Sequence, residues 1–420
     1  MSVKCSVGID FGTTNSAIAI ATAGSVQVAH FPFLGGMVDT FRSVLFFEHA
    51  LRGGATPKPL AGPAAIERYL EPHEGGRLIQ SLKSFAANRT FQSTQIGARQ
   101  YKLEHLIGIF LKALRLAVER QFGPLGDHAI VGRPVTFVGT RKPEDETLAT
   151  DRLRRAYAIA GFDHIRFEYE PIGAAYSYAQ RLKMSELVLI ADFGGGTSDF
   201  SIVQLSPGSK HDIVATAGVP VGGDTFDARI IRHLVSPILG LGSWYQSVDK
   251  TLPVPASLYR KLESWHHLSF LRSRENLRIL ESVHAQAHEP EKIARFLEIV
   301  AEDLGYHLHQ SVQRAKMELS KREETEFVFA DTSVEIRSRV TRREFESWIG
   351  EDLVDIEGCV RELLMQSGVR PERIDRVFLT GGSSLVPALR HLFARQFGPA
   401  KLAAGHEFTS VARGLALIHN

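Results

Sequence analysis

The letters Asp-Phe-Gly occur twice in this chain, at Asp10–Gly12 and again at Asp192–Gly194, close to half of its 420 residues apart. Each copy follows a short apolar segment, CSVGI or LVLIA, and each precedes a second one, SAIAIA or FSIVQL, with Gly, Thr and Ser between. Two runs of β-favouring residues joined by a few turn residues read as a β-hairpin. The same hairpin twice implies an internal duplication, and so an α/β fold of two like lobes with a cleft between them. With 44% hydrophobic and 23% charged residues the chain is long enough to bury the core such a bilobal unit requires.

Other segments fit that plan. DHAIVGRPVTF (127–137) and IDRVFLTGG (374–382) read as buried strands, since short runs of Val, Ile and Phe end at turn residues. EPIGAAYSYAQRL (170–182) reads as a helix with Pro171 at its first position, where a missing N–H costs nothing. The longest helical pattern runs from Pro290 to Lys321, with Leu304, Leu308, Val312, Ala315 and Leu319 as its apolar stripe. The stretch 237–290 shows no repeated pattern and reads as a partly helical insertion. Its His266, His267, His284 and His288 match no metal-ligand spacing and read as surface residues.

Composition narrows the function. Lys and Arg (49) nearly balance Asp and Glu (47), so the chain as a whole carries no nucleic-acid or membrane signature. The clusters Arg152/Arg154/Arg155 and Arg337/Arg339/Arg342/Arg343 read as solvated faces. Cys5 and Cys359 lie far apart, give no disulfide framework and read as small core residues, which suits a reducing compartment. MSVKCSVGID has no long apolar core of a leader, and no run of about 18 apolar residues follows it. A cytoplasmic, bacterial protein is the expectation.

The turns carry the chemistry. DFGTTNS (10–16) supplies a carboxylate on Asp10, the backbone of Gly12, the hydroxyls of Thr13 and Thr14, and Asn15. Glycine lets the backbone come close to a phosphate, amides and hydroxyls donate to its oxygens, and Asp10 can hold a hydrated Mg²⁺. Taken alone, this turn is also compatible with an aspartate that only stabilises its own hairpin. In the second turn Gly194, Gly195 and Gly196 expose consecutive N–H groups between Asp192 and Asp199, and three glycines in a β context weaken a pure folding role. TGGSS (380–384), with Gly381, Gly382 and Ser383, and VGGDTFD (221–227), with Gly222, Gly223 and Asp224, are two more glycine pairs before helices. A protein kinase is excluded, because no H-R-D loop precedes either Asp-Phe-Gly, and a P-loop is excluded because the chain has no Gly-Lys dipeptide.

These four turns in this order resemble the nucleotide-binding core of the actin, hexokinase and heat-shock ATPase superfamily. GIDFGTTNS, DFGGGTSDFSI, EPIGAAYSYA, VGGDTFD and FLTGGSSLVPALR are similar to the motifs of its DnaK-type heat shock protein 70 branch. VGRPVTF, AHEPEK and the insertion look most like the YegD-like subgroup, which carries the ATPase portion without the usual peptide-binding domain. Little chain follows the adenosine motif, so no such domain is expected here.

The resemblance implies a duplicated two-lobe actin-like ATPase fold with ribonuclease H-like lobes. Lobe I would span 1–185, with a closing helix at 407–420 returning to it. Lobe II would span 186–406 and carry the insertion and the adenosine motif at 378–388. ATP or ADP with Mg²⁺ would sit between the lobes. It further implies that Asp10, Asp192 and Asp199, with Glu170, hold the metal through water, and that Thr13, Thr14 and Thr197 donate to phosphates lined by the glycine turns. Lys83 in SLKSFAANRTF matches the catalytic lysine segment, and Pro134 matches the proline relaying nucleotide state between lobes. Gln313, Lys316 and Ser320 share a helix face by their spacing and would meet the adenosine end with Gly381, Gly382 and Ser383.

There the chain departs from the family pattern. Gln313 stands for a glutamate, Met317 and Leu385 for arginines, and Phe408 near an acid, so weaker ATP affinity is expected. The implied function is a slow chaperone-type ATPase, monomeric, whose lobe motions regulate a client or co-chaperone. The alternatives are a nucleotide-gated scaffold with little turnover, a sugar-kinase-like phosphotransferase, for which no acceptor motif is recognisable, and an actin-like filament.

Overall fold

The computed structural model describes residues 6–22, 25–48, 58–71, 75–207, 211–264, 271–331, 334–404 and 408–418. Cys5, His266 and His267 lie outside them. The chain forms two compact units: one of residues 1–223, 355–384 and 389–420, the other of 224–354 and 385–388. This division follows compactness. The 185/186 lobe boundary expected from the sequence follows the repeat instead.

Both hairpins lie in the first unit. β1 (Ser6–Phe11) turns into β2 (Asn15–Thr22), which pairs with β3 (Ser25–Val28). β4 (His128–Arg133) joins β1 in parallel, and β5 (His164–Tyr169) joins β4 in parallel. The order β5-β4-β1-β2-β3 is repeated by the second half of the chain. There β6 (Glu186–Phe193), β7 (Ser198–Leu205) and β8 (Asp212–Val219) form the antiparallel side, while β9 (Arg376–Thr380) and β10 (Leu402–Ala404) add in parallel. The sheet order is β10-β9-β6-β7-β8, strand for strand the same topology. A buried parallel strand is apolar on both faces, which is why Val188–Ala191 and Val377–Leu379 read as unbroken apolar runs.

The helices tie the repeats together. α1 (Leu103–Phe122) and α2 (Pro143–Ile159) belong to the first half, and Phe110 of α1 sets its ring 5.5 Å from that of Phe11 at a 42° tilt. α3 (Glu170–Ala179) follows β5 but packs on the second sheet, its Ile172, Ala174 and Ala175 sharing a core with Val188, Ile190, Val203 and Leu205. The helix closing the second half, Ser410–Leu417, packs on the first sheet through Ala412 and Ala416 against Ala17, Ala19 and Ala21. These two helices cross at glycine: a Cβ on Gly414 would overlap the carbonyl oxygen of Gly173. Neither backbone can retreat without leaving its sheet. We therefore expect Gly414→Val to lower the melting temperature by about 5 °C or more, or to prevent folding, as a calorimetric scan would show.

The second unit holds α4 (Gly223–Ile230, all but its first residue), α5 (Pro290–Ala301) and α6 (Gly305–Lys321). The single helix predicted over Pro290–Lys321 is in fact these two. Glu302 and Asp303 crowd negative charge at the C-terminal end of α5, where the helix dipole is unfavourable, and Asp303 takes a left-handed φ of +56° that ends it. Leu308, Val312, Ala315 and Leu319 of the predicted stripe are buried on α6, as is Leu304 just before it. The insertion is partly helical as expected, at Ala256–Leu262 and Arg274–Gln286, and also contains a short hairpin, Trp244–Gln246 with Thr251–Pro253. Among the described residues no helix is long and apolar enough to cross a membrane, and no three His, Cys, Asp or Glu side chains are grouped to ligate a metal ion directly.

Candidate functional site

The site of the first unit is built where the two hairpin turns meet. A Cβ on Gly196 would lie 3.3 Å from Thr13 Oγ1, 3.0 Å from a methyl of Val138 and 3.8 Å from Ser84 Oγ. Turn two is thus seated on turn one and on the neighbour of Lys83. The remaining glycine pairs nest behind turn two. Gly223 N–H donates to Gly194 O at 2.9 Å, and Gly381, at φ +81°, lies so close to the Phe193 backbone that any side chain there would overlap it. All four glycine turns read from the sequence therefore converge, with Ser383 buried at the last.

Turn one is braced by residues the sequence did not single out. Ser43 donates through Oγ to Gly12 O at 2.7 Å and through its N–H to Thr14 O at 2.9 Å. Arg42 donates to Asn15 Oδ1 at 3.1 Å, so the Asn15 side chain is committed to the protein. Phe41–Arg42 pairs with the start of β2, and no local signal in the sequence joins positions 27 residues apart.

Four carboxyl groups gather beneath the turns. Asp192 and Asp199 are register partners across β6 and β7, and Glu170 opens α3. Asp192, Asp199 and Glu170 are buried, as is Lys83, whose ammonium donates to Glu170. Asp199 accepts the Thr197 hydroxyl and the Val135 N–H, each at 2.7 Å. The strand predicted over 127–137 stops at Arg133, because Pro134 cannot donate to a ladder, and this frees the next N–H for Asp199. Among the described residues, neither the Asp10 nor the Asp192 carboxylate accepts a hydrogen bond from the protein.

Burial, and then repulsion from Glu170, push Asp10 up to about 7, partly offset by Lys83. Asp199 is also raised to about 7, chiefly by burial and then by Glu170. Asp192 is pushed well above the usual carboxylate range by burial and then by Glu170, Asp10 and Asp199. One lysine faces four carboxyl groups. That deficit, and an all-oxygen donor set, fit a hard divalent cation such as Mg²⁺.

From α2, Tyr157 reaches this cluster and Arg152 reaches the segment that carries Lys83. Tyr157 is wholly buried with its hydroxyl unpartnered among the described residues, and burial, then Asp10 and Glu170, raise its pKa. Arg152, expected on a solvated face, is 8% exposed and grips the Lys83 segment; Arg154 and Arg155 are exposed as expected. Solvation of Arg152 is thus overturned by carbonyls from residues 61 to 67 positions away.

The second unit contains the remaining candidates. Lys316 pairs with the fully buried Asp227 at 2.7 Å, Gln313 Nε2 lies 3.5 Å from the other oxygen of Asp227, and the Ser320 hydroxyl donates to Lys316 O at 3.0 Å. The three share one face of α6, as their spacing predicts, and Asp224 stands in the first turn of α4. Met317 and Leu385 are exposed. In the first unit the exposed Phe408 lies beside Gly382.

A family model described as Hsp70 protein matches residues 79–239 and 280–420, leaving most of the insertion outside it. Among curated proteins, the chain is 26% identical over 420 residues to the chaperone protein DnaK of Thermosipho melanesiensis and to that of Thermosipho africanus. It is 26% identical over 423 residues to the DnaK of Thermotoga petrophila. In each case the match covers 98% of this chain and 58% of the relative.

Proposed function

The chain belongs to the Hsp70 family, and from that premise we propose that it binds ATP with Mg²⁺ at the paired hairpin turns and hydrolyses it slowly. The observation that carries this reading is the convergence of four glycine turns and Lys83 on four carboxyl groups in charge deficit. Asp10 and Asp192, with no protein donor among the described residues, would hold the metal through its water, and the metal would neutralise phosphate charge. The Gly194 N–H closes its own turn on Thr197 O at 2.9 Å, which leaves the amides of Gly195 and Gly196, with the hydroxyls of Thr13 and Thr14, suited to donate to phosphate oxygens. Glu170 fixes the Lys83 ammonium, which would meet charge developing on the terminal phosphoryl group and orient water. Asp199, held by Thr197 and Val135, ties turn two to the Pro134 segment, a route from the phosphates to the first sheet.

The lobes 1–185 and 186–406 would open and close with the nucleotide state, and that motion would regulate a partner protein from a cytoplasmic, monomeric chain. A scaffold with little turnover is favoured by the exposed Met317 and Leu385, which stand where the resemblance to the family implies arginines. Calorimetry with ATP and ADP, with Mg²⁺ and with chelator, tests the binding. The expected result is Mg²⁺-dependent binding, made about two- to fivefold tighter by Met317→Arg, as a cation stacked on a base should. Binding that is absent with Mg²⁺ would sink the nucleotide reading.

A further inference from the structure

The proposed chemistry depends on where Lys83 stands, and Lys83 stands on a loop. Residues 82–91 begin as one turn of 3₁₀ helix, Leu82–Phe85, entered from Ser81 at a left-handed φ of +54°. Asn88 Oδ1 then accepts from Thr90 N at 2.8 Å, Thr90 Oγ1 at 2.8 Å and Phe91 N at 3.1 Å, coiling the segment on itself. A segment this short has few backbone bonds of its own, so its carbonyls need donors.

Helix α2 supplies them. Arg152 Nη1 donates to Phe85 O at 3.2 Å, Ala86 O at 3.0 Å and Asn88 O at 2.8 Å, while Nη2 donates to Phe91 O at 2.7 Å. Glu104, buried in the first turn of α1, adds a favourable charge to the same guanidinium. A second grip lies at the start of α2, where Arg89 of the loop donates to Asp145. Asp145 in turn accepts the N–H groups of Arg141 and Lys142, each at 3.0 Å. Three carbonyls share the two hydrogens of Nη1 and the fourth takes Nη2, a spread across the planar guanidinium that the single ammonium of a lysine does not span.

We propose that Arg152 is the positioning residue for Lys83: by gathering four carbonyls of the 82–91 loop it holds the Lys83 ammonium against Glu170. Its effect on turnover rests on the ATPase reading above; its effect on Lys83 does not. The test compares the full wild-type chain with Arg152→Ala and Arg152→Lys. It measures acetylation of Lys83 by a brief pulse of acetic anhydride, read by peptide mass, and hydrogen exchange of the 82–91 amides. ATP binding and turnover are measured on the same samples.

We expect Arg152→Ala to label Lys83 and exchange the loop amides about tenfold faster, and to lower kcat by about ten- to a hundredfold with KM within about threefold. Arg152→Lys should fall between, and adding Arg152→Ala to Lys83→Ala should lower turnover no further. A folded Arg152→Ala or Arg152→Lys chain whose Lys83 labels as slowly as wild type overturns the proposal. So does an equal loss of turnover with and without Lys83. If wild type binds but never hydrolyses ATP, the ATPase reading fails by itself and the labelling still decides the role of Arg152.

Discussion

Lys83→Ala is expected to lower ATP hydrolysis by about a hundredfold or more while ATP remains bound. The ammonium is buried and ion-paired with Glu170 amid four carboxyl groups, so its loss removes the charge that offsets them. It also leaves Glu170 buried without its partner, which costs about 3 to 5 kcal/mol of stability. The two effects separate in the double variant Lys83→Ala/Glu170→Gln, which should recover much of the melting temperature and none of the turnover. Recovery of turnover there would show that Lys83 serves the fold alone.

Asp192→Asn is expected to move stability and function in opposite directions. Removing one charge from a buried, mutually repelling set should raise the melting temperature of the ligand-free protein, while Mg²⁺-dependent turnover falls about a hundredfold. The pH dependence follows in sign. Asp10 and Asp199, near 7 in the fold against 3.8 for the ordinary group, keep protons that the unfolded chain releases. Their contribution favours the fold below about pH 4 and is lost as pH rises towards and through 7. His309, buried and lowered to about 4, acts oppositely between about 4 and 6.5, which makes the window above 6.5 the informative one. There the wild type should lose melting temperature up to pH 8, and Asp192→Asn, with less repulsion to relieve, should lose less. Equal pH slopes in differential scanning fluorimetry would mean that the carboxyl groups are not in conflict.

The site was legible in the sequence where it is local. A hairpin with its turn and its flanking apolar runs is contained in about twenty positions, and both hairpins form with the turns where Gly12–Thr14 and Gly194–Gly196 predict them. The duplicated sheet was legible as a repeat of that hairpin, though not its pairing with β4, β5, β9 and β10, which periodicity alone does not order. What was lost is what depends on distant partners. Arg152 looks like its exposed neighbours Arg154 and Arg155 until the 82–91 loop folds onto it. Ser43 and Arg42 carry no motif, yet they hold Gly12 and Asn15 in place. Asp303, at a left-handed φ of +56°, separates α5 from α6 just before the apolar stripe begins at Leu304, a break that periodicity does not show.

The proposed turnover rests on Asp10, Lys83, Asp192 and Asp199 acting together at the paired turns. The most direct measurement is a single-turnover reaction: limiting ATP with excess protein, following ADP formation with Mg²⁺ and with chelator, in wild type, Lys83→Ala and Asp192→Ala. The account predicts ADP formation that requires Mg²⁺ and is lost in both variants although they still bind ATP. Equally little ADP from all three proteins, each with ATP bound, would contradict it.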